Sequence, residues 1–127
     1  MTNPYFLVFV GGGIGSVLRF ATYHAARLWL PPSFPWGTLV VNVLGGLAAG
    51  ALAGWLLSRS VGGADSTSLF LMTGLLGGFT TFSAFRLDAV LLWQRGEHGA
   101  AIGYVIASVL LAIGGVIAGL SAARAIY

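Results

Sequence analysis

The chain has 127 residues, of which 57% are hydrophobic and 7% charged, with 20 glycines, no cysteine and a net charge of +3. A soluble domain carries about 25% charged residues, so six basic and three acidic side chains cannot cover a water-facing shell, and lipid is expected to be the main solvent. The lack of cysteine excludes a disulfide framework, thiolate metal sites and thiol nucleophiles. The basic residues are all arginines scattered singly along the chain, which argues against a nucleic-acid patch.

A membrane-spanning helix needs about 20 apolar residues, so this length accommodates about four spans with short connections. The expected object is a single all-α, four-span membrane domain over residues 1–127. The first apolar stretch runs from about residue 4 to 30, with Asn3 as N-cap and Pro4 as first helical residue. A signal peptide is its competing reading, but no basic region precedes the run and no small-residue cleavage site ends it. Pro31-Pro32-Ser33-Phe34-Pro35 forbids continuation of the helix. The second span covers about 36–58, and Arg59 to Ser68, with Gly62, Gly63 and Asp65, reads as a loop. The third covers about 69–93, the fourth about 100–123, and Gln94 to Gly99 forms the turn between them. Four thin helices enclose little more than a packed seam. A water-accessible pathway would therefore require more than one copy.

Topology is read from arginines at helix ends. Arg59 and Arg124 fall on one side, Arg27 and Arg95 on the other, and only the deeper Arg19 and Arg86 tilt the balance. So even a distribution allows insertion in both orientations and pairing of opposed copies; a fixed topology set by Arg19 and Arg86 is the alternative. Gly46, Gly50 and Gly54 share one face of the second span, as do Gly11 and Gly15 in the first and Gly115 and Gly119 in the fourth. Small residues let helix backbones approach where lipid removes any water-driven attraction.

The third span carries Gly74, Gly77, Gly78, Thr80, Thr81 and Ser83 near its middle. One reading is a break whose freed backbone must be buried or coordinate an ion. The other is an intact helix whose glycines serve contact. Asn42, with Thr38 one turn earlier, either bonds a neighbouring helix or lines a path as a donor. Tyr104 and Ser108 lie four apart on a stripe continued by Ala112, as a polar track or as packing residues with satisfied hydroxyls. Phe82 and Phe85 are three apart beside Thr80, Thr81 and Ser83; ring edges carry the positive part of the quadrupole and can face an anion. Arg19 either snorkels to the interface or sets a positive potential at a pore mouth. Asp88 and Arg86 are expected on one rim. No Asp, Glu or Lys falls near the middle of an apolar stretch, His24 and His98 are isolated, and no nucleophile–base pair can be drawn. An enzyme is not expected.

Three motifs then carry a resemblance. Gly11-Gly12-x-x-Gly15-x-x-x-Arg19, the run Pro35-Trp36-Gly37-Thr38 continuing to Asn42 and Gly45, and Gly74-x-x-Gly77-Gly78-Phe79-Thr80-Thr81-Phe82-Ser83-Ala84-Phe85 occur in order in a four-span chain. Along nearly its whole length the chain resembles the Fluc/CrcB family of fluoride channels. The resemblance implies an antiparallel, dual-topology homodimer in a microbial cell membrane, with the third helix broken and two pathways for passive fluoride exit. It implies a pore amide at Asn42, an aromatic box of Phe82 and Phe85, further pathway contacts at Thr81, Tyr104 and Ser108, and a vestibule arginine at Arg19. Backbone carbonyls of Gly77 and Thr80 from both copies would hold a structural Na⁺ on the dimer axis. Ala84 stands where Thr is typical and Ala112 where the track often has Ser.

Fluoride is small, strongly hydrated and a strong acceptor, so its pore must replace water by neutral donors without trapping the ion. An inside-negative potential expels an anion with about 2.3 kcal/mol per 100 mV, so proton coupling is unnecessary. Two other functions compete. A small multidrug-type exporter calls for a membrane-embedded carboxylate, and a non-transporting scaffold calls for partner helices on the glycine faces.

Overall fold

The structure, a computed structural model, describes residues 3–127; these form helices joined by short turns, with no strand among them. Four helical stretches are long and apolar enough to cross a membrane: Pro4–Trp29, Trp36–Ser58, Ser66–Gln94 and His98–Ile126. The first two are α1 and α2, and the last is α6. The third is composite: a short α3 (Ser66–Ser68), a π-helical segment (Leu69–Leu76), α4 (Gly77–Phe79) and, after an interruption, α5 (Ser83–Gln94).

Local chemistry sets the ends. The Asn3 side-chain oxygen accepts from the N–H groups of Tyr5 (2.8 Å) and Phe6 (3.4 Å), and Pro4 opens α1. Leu30 turns extended before the prolines and closes that helix. The third helical stretch begins at Ser66, earlier than the apolar run at 69, because the Asp65 carboxylate caps it through the Thr67 N–H at 2.9 Å. The fourth begins at His98 and reaches Ile126, beyond the 100–123 expected, since hydropathy fades before hydrogen bonding does. Gly96 makes the turn before it with φ +82°, and the Glu97 N–H reaches back to the Leu92 carbonyl at 3.0 Å.

Ser60 ends α2 in the left-handed region, φ +54°, where the Val61 N–H donates to the Leu56 carbonyl at 3.0 Å. An L side chain is strained there by about 1–2 kcal/mol, a cost that glycine avoids. Ser60→Gly is therefore expected to raise the thermal unfolding midpoint of detergent-solubilised protein. An unchanged or lower midpoint would contradict this account of the cap.

The glycine faces meet one another. A Cβ added at Gly50 would collide with the Val116 carbonyl oxygen and lie 2.8 Å from the Leu120 nitrogen; one at Gly119 would strike the Leu47 carbonyl. A Cβ on Gly46 would lie 2.5 Å from the Ala112 oxygen, so α2 and α6 are in close backbone approach at successive glycines. α1 makes a second such seam with the π segment and α4, where a Cβ on Gly11 would lie 2.6 Å from the Phe70 oxygen and one on Gly15 2.8 Å from the Phe79 nitrogen. Outside these seams the surface is apolar, with Phe9, Val17, Phe20 and Ile117 exposed. Such a surface suits lipid.

The third helical stretch is broken. Thr80 is extended (φ −80°, ψ 157°) and regular helix resumes only at Ser83, about halfway along Ser66–Gln94. The intact-helix reading of this stretch is thereby overturned. The Thr80 side chain enters the space that a Cβ on Gly45 would fill, so α2 receives the break at a glycine.

Candidate functional site

The break is fastened by one side chain. Asn42 Nδ2 donates to the Thr81 carbonyl and Asn42 Oδ1 accepts from the Thr81 N–H, both at 2.9 Å. The primary amide thus replaces, across 39 residues of chain, the helical partners that the Thr81 peptide group gives up. Of its two N–H donors this uses one. Thr81 Oγ1 accepts from the Ala84 N–H at 3.1 Å and lies 3.2 Å from Ser83 Oγ, so Thr81 caps α5 from outside the helix.

These bonds have a consequence for carbonyls. In an uninterrupted helix the Thr81 N–H would go to Gly77 and the Ala84 N–H to Thr80. Here the first is taken by Asn42 and the second by Thr81 Oγ1, and no other backbone N–H among the described residues replaces them. The carbonyl oxygens of Gly77 and Thr80 are left free. Two such neutral oxygens per chain suit a hard cation.

Beside the break runs a groove of about 400 Å³, lined from three helices by residues that include Asn42, Thr80, Thr81, Phe82, Phe85 and Ser108. Phe82 stands out 70% exposed, and its ring centroid lies 5.5 Å from that of the buried Phe85. Their three-residue spacing survives the break because Phe82 is the residue immediately before α5. Ser108 is buried, and its hydroxyl has no hydrogen-bond partner among the described residues. Ala112 continues the same wall, without a hydroxyl.

Tyr104 does not line this groove. It is fully buried, its ring 5.3 Å from Phe85 and 5.4 Å edge-on to Phe34, and its hydroxyl donates to Asp88 Oδ2 at 3.1 Å. The Thr38 hydroxyl donates to the same oxygen at 2.7 Å. Asp88 is half-buried and turned between α2 and α6, whereas Arg86, two residues earlier, is exposed. The i, i+3 relation of Asp88 to Phe85, an inward residue, was the signal in the sequence. Arg19 is half-buried on α1, one turn beyond Gly15, and joins no hydrogen bond or ion pair among the described residues. No group of three His, Cys, Asp or Glu side chains capable of holding a metal occurs among the described residues.

Residues 6–120 match the family model described as CrcB-like protein, Camphor Resistance (CrcB). The chain is also similar to proteins named fluoride-specific ion channel FluC. That of Paracoccus denitrificans is 47% identical over 127 residues, covering 100% of this chain and 99% of the relative. That of Novosphingobium aromaticivorans is 50% identical over 128 residues, 99% of each, and that of Rhodopseudomonas palustris 48% over 122 residues, 96% and 98%.

Proposed function

The chain belongs to the CrcB-like family, and from that premise we propose that this multi-pass membrane protein is a fluoride channel through which the anion leaves a microbial cell down its electrochemical gradient. The observation that carries the reading is the buried Ser108 hydroxyl, free of any partner among the described residues, on a groove shared with Asn42 and two phenylalanine rings. A partnerless buried donor is costly unless something accepts from it. Fluoride, a compact acceptor, suits that donor, the remaining Asn42 N–H and the positive ring edges together. The positive end of α5 starts at Phe82 and adds favourable potential without a formal charge. Weak neutral contacts release the ion as readily as they admit it. Transport in this reading makes and breaks no covalent bond.

The groove is open along one side of the protomer, and the reading closes it with a second copy in the opposite orientation. Phe82, Phe85 and Ser108 then line the path, Thr81 holds its shape, Tyr104 backs Phe85, and Arg19 sets the potential of the vestibule. The free carbonyls of Gly77 and Thr80 from both copies would hold a Na⁺ that ties them together. Homologous carbonyls would supply oxygen ligands and no net charge, which fits a monovalent hard ion.

The test is fluoride release from proteoliposomes, followed with a fluoride electrode after a potential is set. Fluoride efflux without comparable chloride efflux is expected. Release of neither ion, or of both equally, would sink the proposal. Phe82→Ile is a cleaner probe than any core change, because the ring is 70% exposed and its one aromatic neighbour among the described residues is Phe85. Losing one ring contact, worth about 0.5–1.5 kcal/mol, should slow efflux by about two- to tenfold, with the elution volume on size exclusion unchanged. Wild-type rates would remove the ring from the pathway.

A further inference from the structure

At the other side of Tyr104 lies a second crevice of about 290 Å³, between the end of α1, the proline-rich turn and the start of α2. Tyr104 stands where the two spaces approach each other. Its ring packs on Phe85, which lines the groove, and its hydroxyl bonds to Asp88, which lines the crevice.

The crevice is polar at three points. Asp88 engages Thr38 and Tyr104 through Oδ2 alone, leaving Oδ1 without a partner among the described residues. The Tyr23 hydroxyl is buried and likewise has no partner among them. Arg27 lines the same space and takes part in no hydrogen bond or ion pair among the described residues. A carboxylate alone at this position would oppose the passage of any anion, and in a narrow crevice water screens that repulsion poorly. A guanidinium lining the same crevice offsets it, and a phenol adds a neutral donor. Arg95, a further cation, lies in a separate crevice that Asp88 also borders; its guanidinium is engaged by the Ser33 carbonyl and Glu97.

We infer that this crevice is a second mouth of the pathway, in which Arg27 draws the anion past Asp88 and the Tyr23 hydroxyl receives it. The inference rests on the fluoride-channel reading and extends it from the groove to the opposite end of the molecule. Arg27 acts on the rate of entry, since a charge lining a cleft concentrates counter-ions and loses that effect as salt rises.

Efflux of fluoride from proteoliposomes is the readout, at low ionic strength and at high concentrations of an impermeant salt. Arg27→Gln is expected to slow efflux about tenfold at low salt, with the deficit shrinking at high salt. Arg27→Lys should keep the rate within about twofold, because the role needs a charge and no bidentate geometry. Arg124→Gln, a charge change at the far end of α6, should leave it unaltered. A second arm uses the absence of native cysteine: Ala26→Cys, on the crevice wall, is treated in both aqueous compartments with a charged methanethiosulfonate. Modification accompanied by a drop in efflux in the same preparation is the expected result. Failure to react, as a lipid-filled or sealed crevice would give, overturns the inference, as does reaction without loss of flux. Parent efflux with an unchanged Arg27→Gln rate overturns it alone. Absence of fluoride efflux from the parent sinks the channel reading, and this extension falls with it.

Discussion

Gly50→Leu is expected to yield no stably folded protein, and Gly50→Ala a protein destabilised by about 1–3 kcal/mol. The first added carbon would meet the Val116 carbonyl oxygen and lie 2.8 Å from the Leu120 nitrogen. These are backbone atoms of a facing helix, so no rotamer change relieves the clash. α2 and α6 must separate, and every close approach along that seam, at Gly46, Gly54, Gly115 and Gly119, loosens with them. A membrane supplies no hydrophobic force to compensate. Gly13→Ala is the control, because a Cβ there meets nothing within 4 Å, and helix propensity alone should favour the change by about 1 kcal/mol. Thermal unfolding of the purified proteins in detergent separates the two effects. Equal midpoints for the two alanine variants would mean that the seam is not a determinant of stability.

The helix count was legible because apolar length is a strong constraint in lipid: α2 covers Trp36–Ser58, the limits read from the sequence. Glycine spacing likewise marked faces. It could not say which faces meet, since a stripe on α1 fits any other stripe equally well until chain connectivity and the break are known. Nor does anything in Leu69-Phe70-Leu71-Met72 announce a π segment, and the close approach of Gly11 to Gly74 within it is a tertiary contact that local sequence does not show. Asn42 stood out as a polar residue in an apolar run, yet its partner is a peptide group 39 residues away. The orientation of Asp88 was hidden for a related reason. Its position six residues before the end of α5 suggested a rim charge, while the rotation of the helix turns it toward Thr38 and Tyr104.

That inward carboxylate bears on the competing exporter. A proton-coupled carrier needs an acid that alternates between two aqueous sides. Asp88 is instead bound by two hydroxyls, one of them on the fully buried Tyr104. Held in this way, it serves to orient Tyr104 behind Phe85 and so to fix the wall of the groove. An initial rate of fluoride efflux that is the same with and without an imposed proton gradient is the outcome this static role requires. Proton-driven uptake of cationic dyes would favour the carrier.

Asn42→Ala is expected to cost more than any other polar substitution in the bundle. It strips partners from the Thr81 N–H and the Thr81 carbonyl together. Each buried group left unmade costs about 1–3 kcal/mol, so the pair amounts to about 2–6 kcal/mol, a large share of a marginal stability. The break itself would then have no anchor on α2. Asn42→Asp separates shape from chemistry. Its protonated acid can accept from the Thr81 N–H and donate to the Thr81 carbonyl, as the amide does; its carboxylate can only accept, and sets a charge against that carbonyl. The variant should therefore unfold at a higher temperature at pH 5 than at pH 8, while the parent shows no such difference of the same sign and size. At pH 8 its fluoride efflux should be nearly abolished, because a fixed negative charge replaces a neutral donor at the groove. Thermal midpoints across that pH range, measured alongside efflux at pH 8, decide the matter. Parent-like stability of Asn42→Ala would show that the amide–peptide pairing does not hold the break, and parent-like flux through Asn42→Asp would place the anion elsewhere.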